Sequence, residues 1–147
     1  RQRQMCKETD LIPLISTSEV REISPSGKLI NSFKVEGTPF TTLESTDGNY
    51  WIACGDGHTL IEVNPNDGQI IRRYNENDIK GVRLFFTAGL CKSADGNLYI
   101  CNWQGHSHDA NAANSPQLFE INQKGEVIWS LNDNQTFGMI SAVSTIN

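Results

Sequence analysis

An all-β fold made of repeated, four-stranded antiparallel units is predicted by two recurring patterns in this chain. The first is an Asp-Gly-Asn turn, a run of aromatic and β-branched residues, and a polar Gly-His exit, found over 47–58 and again over 95–106. The two copies are offset by 48 residues, from Asp47 to Asp95. A fixed period of about 20 to 50 residues is typical of repeat architectures.

The second pattern is a hairpin that occurs three times, over 20–30, 60–71 and 118–128. Each copy has a run of strand-forming residues, a short turn that contains glycine, and a second such run. This arrangement is the sequence signal of a β-hairpin.

Together the two patterns predict three units of four strands each. The first unit has strands near 2–7, 11–16, 19–24 and 28–35, the second near 40–45, 49–55, 59–64 and 69–75, and the third near 86–93, 97–103, 117–122 and 126–131. A last strand over 140–146 occupies the place where a fourth unit would begin. We place the units at 1–37, 38–78 and 84–133 and the closing segment at 139–147, all within one domain over 1–147.

Four-stranded units of this length are typical of β-propeller blades. Nearly the whole chain resembles propellers of the PQQ-like and NHL-like repeat families. The resemblance rests on two motifs, the Asp-Gly-Asn-aromatic strand and the Glu-Ile/Val hairpin. The resemblance implies about three blades of a six-bladed ring and a secreted or cell-envelope (periplasmic) protein. Because a ring needs about 4 to 8 blades, we expect the remaining blades from another part of a longer chain or from a second copy.

The composition limits the classes of partner that the chain can bind. With 147 residues, 37% of them hydrophobic and 20% charged, the chain fits one globular domain with a real core. The formal net charge is −5 and the 12 Lys and Arg residues are scattered, which argues against a nucleic-acid partner. No apolar run approaches the ~18 residues of a membrane span. The N-terminus has no initiator Met and no apolar leader, so we expect a chain entered midway.

The four cysteines, Cys6, Cys54, Cys91 and Cys101, leave two possibilities open. They could be buried free thiols that pack as small hydrophobic residues. Alternatively, Cys54 and Cys101 could form a disulfide between neighbouring blades. The cysteines therefore do not fix the redox compartment.

Loop length distinguishes the two rims of the predicted blades. In an antiparallel blade, the turns between strands one and two and between strands three and four lie on one rim, and these turns are all short here. The opposite rim carries the loop 55–58, the connection 75–83 and the insert 104–115. Binding groups concentrate on long loops held by a rigid scaffold, so we predict that this loop-rich rim is the functional face.

The candidate ligand-binding residues on that rim are His58, Arg83, Trp103, His106, His108 and Asp109. His106, His108 and Asp109 offer two imidazoles and a carboxylate within four positions, enough to begin a divalent metal site or an acid/base pair. No known zinc spacing matches, and a solvated loop with ordinary hydrogen bonds is the alternative. His58 and His106 recur with the repeat, which favours a structural role for them.

Other recurring residues are assigned to the scaffold. Glu22, Glu62 and Glu120 hold one position in successive blades, so we predict a structural role. Trp51, Tyr99 and Trp129 are predicted to pack between blades, whereas Trp103 lies at a strand end and could present its ring to a sugar or another flat ligand.

Two functions remain open at this stage. No nucleophile elbow, His-Glu-x-x-His pair, Walker loop or dinucleotide fingerprint occurs in the chain. The first prediction is a non-catalytic module that binds a small molecule, a carbohydrate or a protein partner on the loop-rich rim. The alternative is a propeller hydrolase or lyase acting on a carbohydrate or lactone with metal assistance.

Overall fold

Three antiparallel sheets make up the chain in a computed structural model that describes residues 9–146. We call the sheets blade 1 (β1 to β3), blade 2 (β4 to β7) and blade 3 (β8 to β11), and in each the strands lie side by side in chain order. The strands are β1 Asp10–Leu14, β2 Glu19–Ile23, β3 Leu29–Lys34, β4 Thr41–Glu44, β5 Tyr50–Ala53, β6 Leu60–Val63, β7 Ile70–Tyr74, β8 Phe86–Lys92, β9 Leu98–Trp103, β10 Leu118–Ile121 and β11 Val127–Leu131.

These eleven strands confirm the predicted all-β blades, with boundaries shifted by two residues at most. The strand predicted near 2–7 lies outside the described residues, as does Cys6. Short helices interrupt the pattern only in connections, at Ile15–Thr17, Ala112–Asn114 and α1 (Asn134–Phe137). None of the helices within 9–146 has the length and apolar character needed to cross a membrane.

The recurring glutamates mark a repeated irregularity in the sheets. The pairing of the two outer strands shifts register at Glu22/Ile23, at Glu62/Val63 and at Glu120/Ile121. Such a bulge sharpens the twist of the hairpin. The asparagine of each Asp-Gly-Asn turn then donates a hydrogen bond to the glutamate of its own blade, Asn49 to Glu62 at 3.3 Å and Asn97 to Glu120 at 3.0 Å. The predicted structural role is thus confirmed for Glu62 and Glu120.

The core lies between the blades because alternate residues of each strand point to opposite neighbours. Blades 1 and 2 bury a cluster of Val20, Phe33, Val35, Tyr50, Ile52, Cys54, Ile61 and Val63. Blades 2 and 3 bury a second cluster that includes Trp51, Leu60, Leu84, Ile100 and Phe119. Trp51 therefore packs between blades as predicted. Trp129 is 45% exposed on the outermost strand of blade 3, with its ring centre 6.1 Å from that of Tyr99. No blade covers this face within residues 9–146, so the packing of Trp129 between blades stays a prediction.

The segment 139–146 covers the far face of blade 3. Ile140 and Val143 pack against a third cluster formed by Ala88, Cys101 and Leu118. Within the described residues the segment pairs with no strand. The predicted strand over 140–146, whose partner is expected from another part of a longer chain or from a second copy, stays a prediction. The segment crosses the face of the sheet instead of lying beside an edge, and a Cβ at Gly89 would come within 2.7 Å of the Ser141 carbonyl oxygen.

The three cysteines within residues 9–146 are free thiols. Cys54 is buried between blades 1 and 2, whereas Cys101 is buried on the opposite side of blade 3. The alternative of a Cys54–Cys101 disulfide is therefore wrong, because the two side chains face different neighbours. Burial raises the pKa of Cys101 to about 11, and it raises the pKa of Cys54 as well.

Candidate functional site

The two rims of the blades differ as predicted. On one rim, tight turns closed by backbone hydrogen bonds join the strands, for example from Ser45 to Asn49 and from Ser93 to Asn97. On the other rim lie the connections 54–59, 75–85 and 104–117. The loop after β5 is tied to blade 3, because the Gly55 amide donates to the Thr87 carbonyl oxygen at 3.1 Å and the Thr87 hydroxyl donates to Thr59 at 2.8 Å.

A cavity of about 320 Å³ opens between these loops, and we call it the loop-rim cavity. All six residues singled out from the sequence line it. Asp56, Glu76, Phe85, Phe86 and Ser107 complete the lining. The cavity therefore draws on three separate loops of blades 2 and 3.

Aromatic rings form one wall of the loop-rim cavity. The rings of Trp103 and His106 lie 4.6 Å apart and nearly perpendicular, and Phe86 meets each of them edge-on at 5.4 Å. Gly105 makes this packing possible, because a Cβ at that position would lie 2.1 Å from the Trp103 ring. The Gly-His exit motif thus seats a histidine against a tryptophan in blade 3.

Arg83 is held between two carboxylates. Its Nε donates to Glu76 at 2.6 Å, its Nη1 donates to Asp109, and its guanidinium lies 4.9 Å from the centre of the Phe85 ring. The hydrogen bond to Glu76 and, after it, the hydrogen bond to Asp109 raise the pKa of Arg83. The backbone amide of Asn111 and the Arg83 guanidinium lower the pKa of Asp109. Both members of the pair are therefore charged at neutral pH.

Two histidines have their proton positions set by their partners. His58 Nδ1 lies 2.6 Å from the Phe85 carbonyl oxygen, which can only accept, so Nδ1 carries the proton and Nε2 is left as an acceptor. His106 Nδ1 lies 2.9 Å from an Asp56 carboxylate oxygen and donates to it in the same way. The recurring histidines thus have structural anchors on one side of the ring and a hydrogen-bond acceptor on the other.

The buried Asn102, which the sequence did not predict, holds the cavity wall in position. The side-chain oxygen of Asn102 accepts from the Phe85 amide at 2.7 Å, and its nitrogen donates to the carbonyl oxygens of Arg83 at 2.9 Å and Pro116 at 3.0 Å. Asn102 is fully buried. It therefore ties the segment bearing Arg83 to the end of the insert. In the repeat, Asn102 aligns with Cys54, so the pattern gave no signal for this role.

The loop-rim cavity does not provide a metal site in residues 9–146. No group of three His, Cys, Asp or Glu side chains is arranged there to hold an ion. Of the metal candidates His106, His108 and Asp109, the carboxylate is already ion-paired with Arg83. The donor set therefore does not fit a metal centre formed by these residues alone.

The tight-turn rim has a smaller cavity of about 110 Å³ between blades 2 and 3. Its charged groups serve the scaffold. Arg72 lies 3.5 Å from Glu62, donates to the Gln123 carbonyl oxygen at 2.6 Å and lies 5.6 Å from the centre of the Trp51 ring. This volume and these contacts favour the opposite rim as the binding face.

Comparison with solved structures supports the propeller fold. A protein of unknown function from Bacteroides caccae is 50% identical, with a TM-score of 0.79, over 92% of this chain and 50% of its own. Virginiamycin B lyase from Staphylococcus aureus is 12% identical, with a TM-score of 0.62, over 88% of this chain and 39% of its own. A candidate exported protein from Bacteroides fragilis is 14% identical, with a TM-score of 0.61, over 95% of this chain and 40% of its own. This chain thus spans half or less of each of these proteins.

No curated protein matches the chain. Among families, residues 2–126 match the one described as Mal s 1 allergenic protein-like. That match covers most of the sequence and ends directly before β11, the last strand of blade 3. The chain therefore belongs to the Mal s 1 allergenic protein-like family.

Proposed function

We propose that this chain is a non-catalytic binding module that takes a small organic ligand in the loop-rim cavity. One observation carries the proposal: six polar or aromatic residues, five from three separate loops and Trp103 at the end of β9, line a single open cavity of about 320 Å³. Ligand sites are concave, with apolar and aromatic walls and a few placed polar groups. The wall of Trp103, Phe86 and His106 beside the Arg83 ion pairs has this composition.

The second candidate is a hydrolase or lyase at the same place. The Asp56–His106 hydrogen bond favours it, because a carboxylate that holds Nδ1–H leaves Nε2 able to accept a proton from a substrate. The lyase among the structural neighbours shares only the fold at 12% identity and so gives no support for its activity here. Within residues 9–146 no group of three His, Cys, Asp or Glu side chains is arranged to hold a metal ion for this candidate.

A fragment screen by NMR on the full chain tests the proposal. Ligands should shift the signals of Trp103, His58 and their neighbours and leave the tight turns unchanged. Trp103→Ala should weaken binding by about 1 to 3 kcal/mol through the lost aromatic contact. Trp129→Ala is the matched control, since Trp129 is an exposed tryptophan outside the cavity, and it should leave binding unchanged.

Two results would separate the candidates or reject the site. Turnover of a bound carbohydrate or lactone that is lost in His106→Ala would favour the enzyme. Ligands that cluster at Asp47 and Lys124 would show that the tight-turn rim is the binding face, against the proposal. We further propose that the protein acts outside the cytoplasm, as the resemblance of its repeats to secreted propellers implies, and fractionation of the native cells would test this.

A further inference from the structure

The loop-rim cavity offers a ligand mostly hydrogen-bond acceptors. The imidazoles of His58 and His106 both donate through Nδ1 to the protein, so each presents an Nε2 lone pair. The Arg83 guanidinium, the one Lys or Arg side chain in the lining, already donates to Glu76 and Asp109. A ligand that brings hydrogen-bond donors therefore fits this lining better than one that brings acceptors.

The charge balance of the lining points the same way. Asp56, Glu76 and Asp109 supply three carboxylates against the single guanidinium of Arg83. The excess is negative while the histidines are neutral. A carboxylate or phosphate ligand would meet repulsion there and would have to displace an existing ion pair, whereas a cation would meet neither cost.

An apolar hollow of about 260 Å³ adjoins the loop-rim cavity. It shares Phe86, Trp103 and His106 with the cavity, and Phe40 and Ala88 extend it away from the charged groups. The Phe40 ring meets Phe86 edge-on at 4.8 Å, which continues the aromatic wall. Electron-rich ring faces attract cations, and the hollow can enclose an apolar body.

We infer that the cavity and the hollow together bind an organic ammonium: a protonated amine next to Asp56, with its aromatic or aliphatic body against Trp103 and Phe40. This inference rests on the proposed function and names the chemical class of its ligand. The amine donates hydrogen bonds, and the Asp56 carboxylate can accept them.

The test uses three probes of similar shape and different head groups: 2-phenylethylamine, 2-phenylethanol and 3-phenylpropionate. Binding to the full chain is measured by NMR titration at pH 7.5, where an alkylamine is protonated. We expect the amine to bind at least about tenfold more tightly than the alcohol, equivalent to about 1.4 kcal/mol, and the carboxylate to bind more weakly than both.

Two variants with the same charge change locate the effect. Asp56→Asn should weaken the amine several-fold and leave the alcohol unchanged, because it removes the carboxylate nearest the proposed head group. Asp95→Asn is the control, an exposed aspartate on the tight-turn rim, and should change neither affinity.

The outcomes distinguish this inference from the proposed function. Equal or tighter binding of the alcohol or the carboxylate in the cavity would overturn the ammonium inference and leave the binding module intact. Failure of all three probes, when other molecules from the fragment screen bind in the cavity, would overturn it in the same way. Failure of every molecule to bind there would overturn both.

Discussion

Replacing Asn102 by alanine should destabilise the protein strongly, although Asn102 makes no contact with solvent. The substitution removes the acceptor of the Phe85 amide and the donor to the Pro116 carbonyl oxygen. The Arg83 carbonyl oxygen keeps a partner, because the Ser115 hydroxyl also donates to it at 2.9 Å. Two buried backbone groups are therefore left unpaired, at about 1 to 3 kcal/mol each.

We accordingly expect Asn102→Ala to lower the free energy of unfolding by about 2 to 5 kcal/mol, a large part of the about 5 to 15 kcal/mol of a typical domain. Denaturant unfolding followed by tryptophan fluorescence measures the change. Asn114→Ala is the control, since Asn114 is an exposed asparagine of the insert with one long side-chain hydrogen bond, and it should cost less than about 0.5 kcal/mol.

Ser115→Ala offers a milder version of the same test in case Asn102→Ala does not fold. The Ser115 hydroxyl accepts from the Arg83 amide at 3.0 Å, so this variant leaves one backbone group unpaired and should cost about 1 to 2 kcal/mol. A loss below about 1 kcal/mol for Asn102→Ala would refute the reasoning. It would mean that water or a shifted loop replaces the lost hydrogen bonds.

Three further predictions concern charge, thiol chemistry and the C-terminal segment. Because the Asn111 backbone amide and the Arg83 guanidinium lower the pKa of Asp109 in the folded state, these two contacts should stabilise the protein above the ordinary pKa of about 3.9 and lose this effect as pH falls through the lower folded value. The stability difference between the wild type and Asp109→Asn should therefore shrink on acidification, and a difference that stays constant from pH 7 to pH 2 would contradict a stabilising role of these contacts with ionised Asp109. In a Cys6→Ser background, Cys91 should react with a thiol reagent at pH 8 well before Cys101, whose pKa is raised by burial to about 11, and mass spectrometry of the labelled peptides would show the order. Deleting 139–147 should uncover the apolar face of blade 3 and cause aggregation detectable by light scattering, whereas an unchanged, soluble product would show that the segment does not protect that face.

The sequence by itself determined the blades. The alternation of apolar residues and the Gly-containing turns specify strands and hairpins through local rules, so all eleven strands in the described residues were predictable. The repeat also distinguished the two rims, because strand direction alternates and loop length is visible in the sequence. For the same reason, the six candidate residues could be predicted to share a rim, although not to share a cavity.

The tertiary structure alone decided which side chains meet. Asp56 precedes His58 in the same loop, yet its partner is His106 in the next blade, and no local pattern encodes a contact across 50 residues. Trp51 and Trp129 both lie in predicted strands, but one is buried between blades and the other is exposed on an outer strand, since burial depends on the neighbouring sheet. The segment 140–146 has strand-forming residues, yet within residues 9–146 it packs against blade 3 and pairs with no strand, because a strand forms only where a partner strand is present.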